Sequence, residues 1–179
     1  MNLKNISIGA ALALSSMISG TALAGTATFT GASGYPQSYS EAGITFTSLS
    51  THVHLGDFAP DTIADHNGGC CTDPILITQT GGGAFTLNSM LIVQDSGPTT
   101  FTGSNAAVYT VTGPGFVNFG SLFAGVTDVT WHTDYSGYSV IDDVTTTAVP
   151  EPETYAMMLA GLGLLGFATR RKLKAVAAT

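Results

Sequence analysis

The residues best suited to chemistry crowd between Thr51 and Asp73, where His52, His54, Asp57, Asp61, Asp65, His66, Cys70, Cys71 and Asp73 follow in close succession. His52-x-His54 on an extended strand sends both imidazoles to one face, as a metal site requires, and Asp65-His66 adds further donors. Asp57, Asp61, Asp65 and Asp73, with Asn67, are hard oxygen donors of the kind Ca²⁺ takes, which makes them the expected ligands if a structural calcium ion is bound. Neither metal reading has a motif behind it, since H-E-x-x-H, C-x-x-C and the D-x-D-x-D-G calcium loop are all missing. The third reading is a plain polar surface loop whose histidines are partly hydrogen-bonded. The adjacent Cys70 and Cys71 can close a strained vicinal disulfide that constrains little of the unfolded chain, or can bridge to another molecule. No Lys or Arg is near to lower a thiol pKa, which argues against redox catalysis.

Other catalytic constellations are missing as well. No G-x-S-x-G occurs. Asp142-Asp143 has the residue types of a glycosidase pair, but neighbours on a strand face opposite ways and cannot flank one bond. Tyr35, Tyr39, Tyr135 and Tyr138 lie in turn-like stretches rich in Gly and Ser, where rings either pack on sheet edges or stand exposed as sugar platforms. The expectation is a protein that is not an enzyme and has no certain cofactor.

The charge pattern narrows the partners. From residue 25 to 149 there is no Lys or Arg, against ten acids (Glu41, Asp57, Asp61, Asp65, Asp73, Asp95, Asp128, Asp134, Asp142, Asp143), a formal charge of 0 − 10 = −10. Neutralising phosphates needs Lys and Arg, so nucleic acid is excluded as a partner. Bound cations, salt or a surrounding of neutral polymers suit such a domain.

The elements that must position these residues are strands. Residues 1–24 read as a secretory signal helix, with Lys4 in the charged region, an apolar stretch from Ile6 to Ile18, and Ala22-Leu23-Ala24 as the small-x-small cleavage site for signal peptidase before Gly25. Residues 25–147 shift to short alternating runs bounded by Gly, Pro, Asn and Asp. The expected strands are Ala27–Thr30, Ile44–Leu49, Ile75–Gln79, Phe85–Val93, Thr99–Thr102, Ala107–Thr112, Val117–Leu122, Val126–Thr133 and Tyr138–Thr146. About nine short strands without helix signals predict an all-β sandwich. In Val126–Thr133 the alternation puts Val129 and Trp131 on the core face and Asp128, Thr130 and His132 on the other. Phe85–Val93 carries apolar groups on both faces toward its end and is expected to be central. Ser50–Asp73 has weak strand character and is expected to be the longest irregular loop.

After Thr147 comes Val149-Pro150-Glu151-Pro152-Glu153, then the apolar run Thr154–Thr169, then Arg170-Arg171-Lys172. As a helix that run is ~24 Å long, short for a ~30 Å hydrocarbon core but able to span it with local thinning. The basic cluster is expected to stay cytoplasmic.

This tripartite tail, Pro150-Glu151-Pro152 ahead of an apolar run and a basic cluster, resembles the PEP-CTERM sorting signal of Gram-negative bacteria, also labelled an ice-binding protein C-terminal domain. That second label describes the anchor. Ice binding would want a flat regular Thr array, and the Thr residues show no fixed repeat. The resemblance covers the segment 148–174 and implies recognition by an exosortase, transient anchoring in the cytoplasmic membrane through one transmembrane helix, and release to the cell surface or extracellular space. It also implies the company of exopolysaccharide and biofilm. Gly43–Phe46, Phe85–Ser89 and Ile141–Val144 are similar to strands of the jelly-roll-like β-sandwich ectodomains that precede such tails. The alternative function is a small exported metal-dependent hydrolase or metal-binding protein using the His/Asp loop.

Overall fold

The computed structural model describes residues 24–68, 71–72, 74–133, 137–150, 153, 155–164 and 167. In chain order the strands are β1 (Ala24–Ala27), β2 (Ser38–Glu41), β3 (Ile44–Ser48), β4 (His54–Leu55), β5 (Ile63–Gly68), β6 (Cys71–Thr72) and β7 (Ile75–Gln79). They continue as β8 (Phe85–Asp95), β9 (Thr99–Gly103), β10 (Val108–Val111), β11 (Gly115–Asn118), β12 (Asp128–Thr133) and β13 (Tyr138–Ala148). One sheet runs β11-β8-β13-β5-β4, with β1 beside β13 and β6 beside β5; the other runs β10-β9-β12-β7-β3-β2. The strand pairings within and between these elements are antiparallel. Fully buried side chains from both sheets, Phe46, Ile77, Phe101 and Trp131 from one and Ile63, Leu87, Met90 and Val144 from the other, form one apolar core.

Strict alternation accounts for most of this burial. In β12, Val129, Trp131 and Thr133 are buried while Asp128, Thr130 and His132 are half-buried, as the sequence pattern predicts. Phe101 stacks on Trp131 at 6.4 Å, and Phe119 joins them edge-on to Phe101 at 5.5 Å and to Phe123 at 5.2 Å.

β8 is central, flanked by β11 and β13. Its burial switches face partway: Phe85 and Leu87 are buried, then Met90 and Ile92. The switch falls at a register shift, where Thr145 opposes Ser89 but Thr146 opposes Leu87, leaving Asn88 as an extra residue. Asn88 Nδ2 donates to Thr147 Oγ1 at 2.9 Å, and its carbonyl accepts from Phe119 N. That bulge explains why apolar residues occupy both parities of this strand.

β13 changes partner along its length. Its first half pairs with β5 (Ile141 opposite Ile63) and its second with β1 (Val144 opposite Ala27). Asp142 and Asp143 fill the seam at another register shift, Asp143 with φ 48°. Near the start of β1, a Cβ on Gly25 would collide with the Ala42 carbonyl, so only glycine fits there.

Two expectations are corrected: the described residues form thirteen strands where the sequence pattern predicts about nine, and Ser50–Asp73 is not an irregular loop, since β4, β5 and β6 run through it and β5 is built into the larger sheet against β13. Only Ile63 and Ala64 supply apolar character in β5, too little for a periodic signal, and the neighbouring strand provides the pairing that the sequence does not advertise. β2 also went without a signal of its own, being polar and short.

The outer face of the six-stranded sheet carries Ser38, Thr47, Leu76, Thr130, Thr102 and Val108 in one cross-strand row. Its hydroxyls bond one another, Ser38 to Thr47 at 3.1 Å and Ser40 to Thr45 at 2.8 Å. Sheet pairing thus lines up hydroxyls that show no repeat in the sequence.

Val149 N donates to Ala84 O at 2.8 Å just before Pro150, and residues 155–164 are helical and exposed. Among the described residues no helix is long and apolar enough to cross a membrane. The expected signal region up to Leu23, and with it Ala22, lies outside the described residues, as do Glu151, Pro152, Arg170, Arg171 and Lys172.

Candidate functional site

Three short stretches meet at the end of the larger sheet where β13 begins. Gly34 pairs with Leu55 through two backbone hydrogen bonds (3.2 and 3.0 Å), and Val53 N donates to Pro36 O at 2.8 Å. This places Tyr35 across from His54. β4 lies on β5 with His54 opposite Ala64, and β5 lies on β13 with His66 opposite Tyr138. The outcome is a contiguous ledge of rings.

Tyr35 meets His52 and His54 edge-to-face at 5.3 and 5.1 Å, and His52 and His54 lie 4.8 Å apart. His54 contacts His66 at 5.6 Å and Phe58 at 5.7 Å, while Phe58 stacks on Tyr138 at 4.9 Å with 13° between planes. His52 and His54 thus do sit side by side, as the His-x-His spacing predicts.

Asp57 ties the ledge together. Its Oδ1 accepts from Tyr35 OH at 3.0 Å, and its Oδ2 lies 3.1 Å from His54 Nδ1. An ionised carboxylate only accepts, so Nδ1 carries the proton of the neutral ring and Nε2 is the acceptor. That Nε2 is buried with no hydrogen-bond partner, as is Nδ1 of His66. Burial holds the His54 pKa below its ordinary value, an effect partly opposed by the bond to Asp57 and reinforced by the neighbouring His52 and His66. The bonds from His54 and then Tyr35 hold the Asp57 carboxyl below the usual range, and the same contact raises the Tyr35 phenol. At neutral pH the pair is therefore a carboxylate beside a neutral imidazole.

The other carboxylates expected to share a calcium ion have separate partners. Asp61 Oδ1 accepts from Gly31 N at 2.7 Å. Asp65 is buried and its Oδ2 accepts from Thr133 N at 2.7 Å, tying β5 of one sheet to β12 of the other. Asp73 and Cys70 lie outside the described residues, as does the side chain of Cys71, so the vicinal disulfide does too. Among the described residues no group of three or more His, Cys, Asp or Glu is placed to hold a metal ion.

A different acidic grouping emerges at the β13 seam. Burial raises the Asp142 pKa, with Asp143, Asp61 and Glu41 adding to the rise and the backbone bond from Asp143 opposing it. Glu41 is committed there: its carboxylate accepts from Thr28 N at 3.2 Å, Phe29 N at 2.9 Å and Tyr39 OH at 3.0 Å. No sequence signal joins these four acids, because Glu41 and Asp61 are tied to the segment that follows β1 (Thr28, Phe29 and Gly31) and β1 lies on β13.

Of the residues expected to take part in processing, Ala24 opens β1 opposite Thr147, and Pro150 follows the backbone bond from Val149 N to Ala84 O. A family model described as the PEP-CTERM protein-sorting motif matches residues 148–172. No curated protein and no solved structure matches the chain. The matched segment continues directly from β13, and the motif implies processing by exosortase-type machinery and export to the cell envelope.

Proposed function

We propose that this chain is a non-enzymatic cell-surface or extracellular-matrix protein that associates with exopolysaccharide in a biofilm. The observation that carries the reading is the sorting motif at residues 148–172, joined without a spacer to a folded β domain. In this reading signal peptidase cuts after Ala24, the tail anchors the chain transiently in the inner membrane, and an exosortase acting at Pro150-Glu151-Pro152 releases the domain. The ectodomain is then a jelly-roll-like sandwich that works by contact. The lack of Lys and Arg from residue 25 to 149 favours neutral polymers over anionic ones. Fractionation of producing cells tests it: the protein should leave with the extruded polysaccharide and stay behind when polysaccharide synthesis is blocked. Equal release in both cases would overturn the association.

The second reading, a metal-binding protein or metal-dependent hydrolase, draws support from the two unpartnered imidazole nitrogens on His54 and His66. Metal analysis of the purified full chain separates the two. Stoichiometric zinc or copper would favour the second, whereas calcium, an oxygen-ligand ion, is compatible with the first as a structural ion.

A further inference from the structure

We propose that Tyr35 and Asp57 form the contact for a neutral sugar unit of an extracellular polysaccharide, with the half-buried rings of Phe58 and Tyr138, carried on buried His54, extending the contact to neighbouring units. The proposal rests on the matrix reading above and gives it a site.

Tyr35 is 57 % exposed, yet its ring is fixed by the bond to Asp57 and by edge contacts to two imidazoles. An exposed ring already held in one orientation loses little conformational freedom on binding, which is what makes tyrosine an effective contact residue. Asp57 stands beside it with its side chain 39 % exposed. A carboxylate has about four acceptor positions, and Tyr35 and His54 occupy two of them. The remaining positions face donors from outside. A sugar presents both requirements at once, C–H groups for the ring face and hydroxyl donors for the carboxylate.

Extension follows from spacing. Buried His54 links exposed Tyr35, 5.1 Å away, to half-buried Phe58, 5.7 Å away, and Phe58 stacks on half-buried Tyr138 at 4.9 Å, so the accessible rings on either side of His54 span more than one small ligand. Charge then selects among chains. With ten acids and no Lys or Arg between residues 25 and 149, nothing but imidazole can meet a uronate, sulfate or phosphate group, and Asp57 would repel it.

Placement agrees with use. Tyr138 opens β13 and Ala148 closes it, with the sorting motif immediately beyond. Eleven residues of strand put roughly 30–35 Å between the two ends. The ledge therefore lies at the end of β13 remote from the sorting motif.

The test is native affinity electrophoresis of the purified full chain in mild detergent, in gels containing dextran, hydroxyethylcellulose or alginate. The wild type should be retarded by at least one neutral glucan and not by alginate. Tyr35→Ala should weaken that retardation by about tenfold or more, Tyr35→Phe, which keeps the ring but loses the bond to Asp57, should weaken it less, and both should melt close to the wild type because Tyr35 is exposed. Equal retardation of wild type and Tyr35→Ala would overturn the ledge while leaving polysaccharide association intact. Retardation by alginate alone, or by none of the three polymers, would overturn the neutral-sugar assignment, and the cell fractionation above then decides the matrix reading separately.

Discussion

Two groups of aromatic side chains divide the work of this domain. Trp131, Phe101, Phe119 and Phe123 are sealed between the sheets, whereas Tyr35, His52, Phe58 and Tyr138 stand partly open around buried His54 at the end of one sheet. In the first group Phe101 and Trp131 come from strands with clean alternation and Phe119 and Phe123 from the turn after β11, all four in apolar contact with one another. The second comes from separate segments, Gly34–Pro36, the stretch around β4 and the first residue of β13, with Tyr35 and His54 held by the Asp57 carboxylate. One secures the fold. The other spends little on stability and keeps polar atoms and ring faces available.

The largest effect that sharpens this contrast belongs to Trp131. Trp131→Ala should cost ~3–5 kcal/mol, the usual range for emptying a core site, and could consume most of the stability of a domain this size. The indole Nε1 is buried without a hydrogen-bond partner. Trp131→Phe should therefore cost less than ~1.5 kcal/mol, since it removes an unpaired donor along with the volume. Urea denaturation of the two variants checks both values, and a milder loss for Ala than for Phe would break the assignment of Trp131 to the core.

Acid should act next, and on the ledge. Because burial lowers the folded-state pKa of His54, the unfolded chain takes up the proton more readily than the folded one. Stability is complete above the unfolded value of ~6.5 and is lost as pH falls from there toward the lowered folded value, with a slope of at most ~1.4 kcal/mol per pH unit for one proton. Asp57, whose pKa is lowered, stays ionised in this window and adds its own loss only at more acid pH. Melting curves between pH 7.5 and 5.5 should show a falling midpoint in the wild type and a flatter one in His54→Gln. Parallel curves would remove His54 from the account.

The smallest effect separates the groups most cleanly. Tyr35→Phe deletes an exposed hydrogen bond and should change stability by less than ~0.5 kcal/mol in thermal denaturation. A loss comparable to that of a core substitution would make Tyr35 part of the fold's support and erase the distinction.

The same division governs what the sequence discloses. Ile75–Gln79 matches its strand end to end, and the Val129/Trp131 face is assigned correctly, because residues with period two announce their own burial. Asp65 illustrates the limit. Its grouping with Asp57 and Asp61 came from nearness in sequence, whereas β5 turns it inward to Thr133, a residue of the opposite sheet. His52, His54 and Asp57 were legible as a local cluster, but Tyr35 and Tyr138 reach it only through pairings across distant segments, for which the sequence holds no local mark. The bulge at Asn88 hides in the same way behind an ambiguous apolar pattern.

In the proposed function the tail delivers the chain and is then lost. Intact-mass measurement of the protein recovered from the surface of producing cells tests this most directly. A mass starting at Gly25 and ending close to Pro150-Glu151-Pro152 is the result expected from the sorting motif at residues 148–172. A mass that still includes Arg170–Thr179 would contradict it.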